Sequence, residues 1–260
     1  MTTTGQTLTN QPMIDTPGAV QTPTVKRAVS PSQRRAEVVI ATLFLLTAAV
    51  SIVGGSLLDP KLESPDYLAW VLANKGAVQL DALLIAINNI GIVFIAAFAF
   101  PLLRKQDEAL AASYLATRII ESTLMMLSIV AILLLIPLSQ AFLAAGATQN
   151  PSLVAIGDMI KDMKSIVQFK VATSLLGLGG CFFTWALFRF RLLPRWLAGF
   201  GLFSYVLAFL AGIGSWFDLV SFSSMGGSGM LLSLPVAFWE IILMPFWLFV
   251  KGFAMPENPG

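Results

Sequence analysis

The sequence contains no histidine and one cysteine, and only 12% of its residues are charged. Without histidine there is no His-ligated zinc or haem, no imidazole general base, and no intramembrane Ser–His or histidine-dependent lipid hydrolase. With Cys181 alone, no intramolecular disulfide forms and no multi-cysteine metal site is possible, so neither a metal nor a cofactor is expected. Cys181 lies in an apolar run, where a small thiol packs as a hydrophobe. Scarce charge is the most restrictive of these absences. A soluble domain carries roughly a quarter charged residues, and a chain that is 57% hydrophobic with a mean hydropathy of +0.81 cannot wet a globule of 260 residues. The net charge of +2 gives no support to a nucleic-acid partner. Membrane lipids are the surroundings this composition requires.

The first 32 residues, rich in Thr, Gln and Pro, have too few large apolar side chains to fold, and they read as a disordered tail. They hold no apolar h-region, so the first span is expected to act as the insertion signal. Six apolar runs follow, at 36–58, 78–103, 109–138, 166–188, 193–220 and 230–253. Each is long enough to cross about 30 Å of hydrocarbon, where the helix is the state that satisfies its own backbone. The expected fold is an all-α membrane protein. Its transmembrane domain covers 33–253 as a bundle of six transmembrane helices, and a short tail covers 254–260. Two short interfacial helices are expected in the external loops. One opens at Ser64, Pro65 and Asp66 and runs through Tyr67 and Trp70. The other opens at Asn150 and Pro151, carries Leu153, Ile156, Ile160 and Met163 on one face, and continues into the fourth span. The Gly/Ser-rich stretch 221–229 reads as a mobile loop.

Basic residues give the orientation. Lys26, Arg27, Arg34, Arg35, Arg104, Lys105, Arg189, Arg191, Arg195 and Lys251 fall on one side when the spans alternate, against Lys61, Lys75, Lys161 and Lys164 on the other. The positive-inside rule places both termini in the cytoplasm. Trp70, Trp196, Trp247 and Tyr67 stand where interfacial aromatics belong.

Every span carries small or polar residues at heptad spacing, the pattern of helix–helix interfaces in lipid. The ionisable ones ask for more. At 1.5 Å per residue, Arg118 and Glu121 lie about 13 to 18 Å into the third span, with Glu240 at similar depth in the sixth. Asn88 and Asn89 stand near the middle of the second. A charge facing lipid at that depth costs about 2.5–3.5 kcal/mol, so these five are expected to turn inward and meet. Arg118 and Glu121 are one turn apart and able to pair. One guanidinium cannot neutralise two buried carboxylates: either Arg118 bridges both, or one carboxyl keeps its proton, with Glu240 the expected one. A second polar group, Asp81, Lys170 and Asp218, is expected nearer the external face, with Lys170 in reach of either aspartate. Pro245, one turn beyond Glu240, is expected to kink the sixth span and open a carbonyl towards the centre.

The run from Arg189 through Pro194, Arg195 and Trp196 to Gly199 follows Phe182 and Phe183. Together with Tyr205, Glu240 and Trp247 to Gly252, it resembles a bacterial multi-span membrane family described as domain of unknown function 4386. Leu102 to Lys105 and the segment from Tyr114 through Arg118 to Glu121 are similar to the middle of that family. The resemblance covers about 34–252. It implies a multi-span helical protein of the bacterial inner membrane, and it implies no catalytic residue.

Three functions compete. The first is a midplane polar pocket that binds a small polar or amphiphilic molecule, a lipid headgroup or a proton, with Asn88, Asn89, Arg118, Glu121 and Glu240 as its residues. The second is a structural or accessory subunit whose polar layer only fixes helix packing. The third, ranked below these, is a lipid-modifying enzyme with Glu121 or Glu240 as general acid or base. The chain lacks an aspartate-rich diphosphate motif, a Gly-rich phosphate loop and a nucleophile elbow.

Overall fold

Backbone groups in hydrocarbon have no water to bond, so each apolar run must close its own N–H···O=C ladder. The computed structural model shows how the chain does this; it describes Thr2 and residues 31–146, 150–222 and 227–254. Most of the expected 1–32 tail, the expected tail from 255 onward and the centre of the 221–229 loop lie outside the described residues. Helix α1 is Pro31–Leu62, α2 Tyr67–Ala73, α3 Lys75–Arg104 and α4 Glu108–Ala144. Helix α5, Pro151–Ser165, runs through a π-helical turn at Ile166–Val171 into α6, Ala172–Arg189. Helix α7 is Arg195–Trp216. The last span is α8, Ser228–Phe238, a second π-helical turn at Trp239–Leu243, and α9, Met244–Val250. Six of these rods are long and apolar enough to cross a membrane. No strand occurs among the described residues.

Asn150 caps α5 by accepting from the Ser152 N–H at 3.2 Å, with Pro151 in the first turn, as the residue types require. α2 behaves differently. It starts at Tyr67 rather than Pro65, and Asp66 makes no side-chain cap. Tyr67 is buried instead of standing at the lipid interface. Its hydroxyl donates to the Val154 carbonyl at 3.3 Å, and the Lys161 ammonium lies 3.9 Å from its ring centre. Of the stripe expected on α5, Ile160 packs inward while Ile156 and Met163 are exposed. Gly157 takes the buried place on that helix because Tyr67 lies against it.

The spans pack as a ring: α1 on α3, α3 on α4, α4 on α6, α6 on α7 and α7 on α8. α1 closes the ring against the second π-turn and α9, whereas α8 makes an extended contact with α7 alone among the other helices. The ring is therefore shut along one half of the α1–last-span seam and parted along the other. Where it is shut, Arg34 Nη1 donates to the Leu248 carbonyl at 2.6 Å, and Nη2 donates to that of Phe249. Buried Glu37 accepts from the Phe253 N–H at 3.0 Å. The start of the first span and the end of the sixth thus meet on one face, called here the tail face; α2 and α5 mark the opposite, loop face.

Two apolar clusters fill the ring. The tail-side cluster includes Ile40, Phe44, Leu102, Phe183, Leu187 and Trp239; the loop-side cluster includes Leu58, Leu62, Val71, Val78, Ile132 and Leu135. Large apolar side chains such as Leu83, Phe94, Ile120, Val130, Leu210 and Phe246 cover the outside, an arrangement that lipid tolerates and water does not.

The α6–α7 seam shows how close the backbones come. A Cβ built on Gly180 would stand 1.9 Å from a Tyr205 ring carbon, whereas one on Gly76 meets nothing. Gly180→Ala is therefore expected to destabilise the protein by about 1–3 kcal/mol through overpacking. Gly76→Ala should be neutral or stabilising by up to about 1 kcal/mol. Unfolding midpoints in detergent check the pair, and equal effects would contradict this packing.

Candidate functional site

Between the two apolar clusters lies a polar layer. α4 supplies Arg118 and Glu121, both almost fully buried, with Nη1 of Arg118 donating to Oε2 of Glu121 at 2.6 Å. Their i,i+3 spacing brings them to one helix face, and the close approach of Gly179 on α6 leaves room for the arginine stem. The last span supplies Glu240, whose Oε1 accepts from the Tyr205 hydroxyl of α7 at 2.5 Å. Arg118 is also a through-space electrostatic neighbour of Glu240, but no direct ion pair joins them. Of the two arrangements open from the sequence, Arg118 bridging both carboxyls is not the one adopted. Arg118 takes Glu121, and a tyrosine takes Glu240.

The distortion expected at Pro245 has a definite form. Proline withholds the N–H that would reach the Ile241 carbonyl, and the chain answers with the π-helical turn Trp239–Leu243, whose second residue is Glu240. Such turns re-aim side chains and are frequent at functional sites.

Asn88, Arg118, Glu121 and Glu240 line one recess of about 290 Å³, together with Ser51 of α1 and an apolar surround that includes Phe44, Ile52, Ile92 and Leu176. Ala48 and Ile52 of α1 line its apolar side together with Ala237 and Ile241 of the last span, where α8 passes into the second π-helical turn. Ser51 donates to Oδ1 of Asn88 at 3.2 Å. Four of the five central residues expected from sequence are thus gathered. The fifth, Asn89, turns into the α3–α4 interface. There its carbonyl accepts from Ser122 at 3.1 Å, and its side-chain amide has no partner among the described residues.

The outer group divides. Lys170 pairs with Asp218 at 3.0 Å, on the molecule's exterior. Asp81 is not with them. It is buried against α1, where a Cβ on Gly54 would come within 3.0 Å of its Oδ1, and it shares a small cavity with Asp59, Lys164 and Gln168. Lys164 pairs with Asp59. Of the two aspartates open to Lys170, Asp218 is the one it takes, and Asp81 lies instead against Gly54 of α1.

Sequence reasoning missed four things. Tyr205 carries the resemblance but shows no sign of a carboxyl partner 35 positions away. Trp239 is fully buried between Phe44, Phe183 and Tyr205 at edge-to-face distances of 5.6 to 6.3 Å, and donates to the Leu197 carbonyl at 3.0 Å. Tyr114 stacks on Phe183 at 4.7 Å and completes this aromatic layer on the tail side of the ion pair. A tryptophan inside an apolar run gives no hint of its direction. Asp59 and Lys164 stand near span ends, where charges ordinarily face water, and 105 residues separate them.

Six membrane-length helices around a buried Arg–Glu pair and a Tyr-bound carboxyl define an integral membrane protein with a polar centre. The family model described as domain of unknown function (DUF4386) matches residues 39–252, and the chain belongs to that family. No curated protein and no solved structure matches it.

Removing one partner of a buried ion pair strands the other. Arg118→Met is expected to cost about 3–5 kcal/mol, and Arg118→Met with Glu121→Met should recover much of the loss. Denaturation in detergent micelles reads both, and a double variant as unstable as the single one would contradict direct pairing.

Proposed function

We propose that the chain is a membrane-embedded binding protein for an amphiphile. The polar head reaches Arg118, Glu121, Asn88 and Glu240, and the apolar body lies in the seam between α1 and the last span. The observation that carries this reading is the recess itself: four polar side chains from three spans line one hollow together with apolar side chains of α1 and the last span. Intramembrane ionisable residues that only fix packing have no need of a hollow of about 290 Å³ beside them. A guanidinium beside carboxyls and amides can hold a phosphate, a carboxylate or a sugar hydroxyl. We also assign the chain to the bacterial plasma membrane with both ends in the cytoplasm. Arg34, Arg35, Arg104, Lys105, Arg189, Arg191, Arg195 and Lys251 all stand at the tail-face ends of spans, where the positive-inside rule puts them.

Native mass spectrometry of protein released from native membranes tests the reading. The parent protein is expected to carry an amphiphile. Glu240→Gln should lose it while keeping an unfolding midpoint near the parent's. Ala48→Trp, which fills the apolar side of the hollow without removing a polar group, should lose it too. An unliganded parent protein, with Glu240→Gln merely unstable, would replace this reading by a structural role. Retained ligand with altered lipid products would replace it by an enzyme.

A further inference from the structure

A second polar group stands nearer the loop face and has no part in the central recess. There a hollow of about 220 Å³ opens between the end of α1 and the last turns of α5, with Asp59 and Lys164 among its lining. The same two side chains border a narrower cavity of about 60 Å³, shared with Asp81 and Gln168. Ser51 and Asn88 form the inner wall of that cavity, and these two also line the central recess beside Glu121 and Glu240. The three hollows therefore share walls in series from the loop face to the midplane.

The connecting cavity is polar enough to be wet. Oδ2 of Asp81 and Oε1 of Gln168 are buried and have no hydrogen-bond partner among the described residues. Each such atom costs about 1–3 kcal/mol unless something bonds it. The cavity is well above the roughly 10–15 Å³ that one water needs, and Asp59, Lys164, Ser51 and Asn88 supply further partners. Both π-helical turns of the protein serve this path: the first contains Gln168 and the second Glu240. On the other side of the polar centre the situation is reversed. Phe44, Tyr114, Phe183, Tyr205 and Trp239 close ranks there, backed by the tail-side apolar cluster.

We propose that the three hollows form one polar path that admits water, and with it protons, from the loop face to Glu121 and Glu240, and that the aromatic layer separates these residues from the tail face. The Lys164–Asp59 ion pair stands at its narrow point. This path does not depend on an amphiphile filling the central recess, and it holds or fails on evidence of its own.

Two adjacent methionines report on it without any substitution. Met125 lines the connecting cavity and is 9% exposed, whereas Met126 is 37% exposed on the outer, lipid-facing surface. Radiolytic hydroxyl-radical footprinting of the full chain in lipid nanodiscs should oxidise Met125 several-fold more than Met126, although Met125 is the more buried. Equal oxidation, or the opposite order, would overturn the path. Its sidedness is read in oriented vesicles of a Cys181→Ala background, using a membrane-impermeant trimethylammonium methanethiosulfonate. Gly55→Cys, which lines the same cavity, should react from the loop face and not from the tail face. Val53→Cys, on an exposed part of α1, should stay unmodified in lipid. Reaction of Gly55→Cys from the tail face, no reaction from either face, or equal reaction of Val53→Cys would each overturn the proposal. Loss of the amphiphile result with this result intact would leave the path standing.

Discussion

A single guanidinium inside an apolar ring, paired with one of two buried carboxyls, sets the terms for the rest of this structure. Lipid penalises a lone charge at midplane depth by a few kcal/mol, about 2.5–3.5 on insertion scales. Arg118 is therefore tolerable only if its helix face turns inward and a counter-charge waits there. Glu121 is that counter-charge, one turn along the same helix. Glu240 then needs a different neighbour, and Tyr205 donates to it across the α7–last-span seam. The partnering explains why α7 must come close to α6, why Gly180 sits where the Tyr205 ring passes, and why Gly201 leaves space for Trp239. Helix positions several turns away follow from how a few polar atoms are satisfied.

The split apolar core is the other consequence. An uninterrupted apolar interior would pack more simply, yet here two clusters are held apart by a polar layer. The tail-side half is closed by aromatic edge-to-face contacts and by the Arg34 and Glu37 clasp on the last span's backbone. The loop-side half is looser, because α8 leans on α7 and parts from α1. One end of the bundle is thus sealed and the other accessible, and this asymmetry underlies both the amphiphile site and the polar path.

Much of this was legible beforehand. Hydropathy alone marks the six spans, since each run is long and predominantly apolar. The inward meeting of Asn88, Arg118, Glu121 and Glu240 follows from depth and the cost of lipid exposure. What stayed hidden depends on rotation about helix axes. Asn89 is adjacent to Asn88, yet 100° of helical turn sends it into the α3–α4 seam. Asp81 was grouped with Lys170 by height, and height says nothing about which neighbour a helix presents. The π-helical turns at Gln168 and Glu240 have no sequence signature beyond Pro245, and the first of them lacks even that. Tyr67, which reads as an interfacial anchor, is drawn inside by Gly157.

The unity of the polar centre is open to one direct thermodynamic test, a double-mutant cycle between α4 and the last span, which make no extended contact with each other. Arg118→Met and Glu240→Gln, singly and together, are compared by unfolding free energy under identical detergent conditions. If the two residues belong to one electrostatic unit, their effects depart from additivity by about 0.5–3 kcal/mol. Additivity within a few tenths of a kcal/mol would mean that α4 and the last span carry separate charges, and the shared centre would not exist.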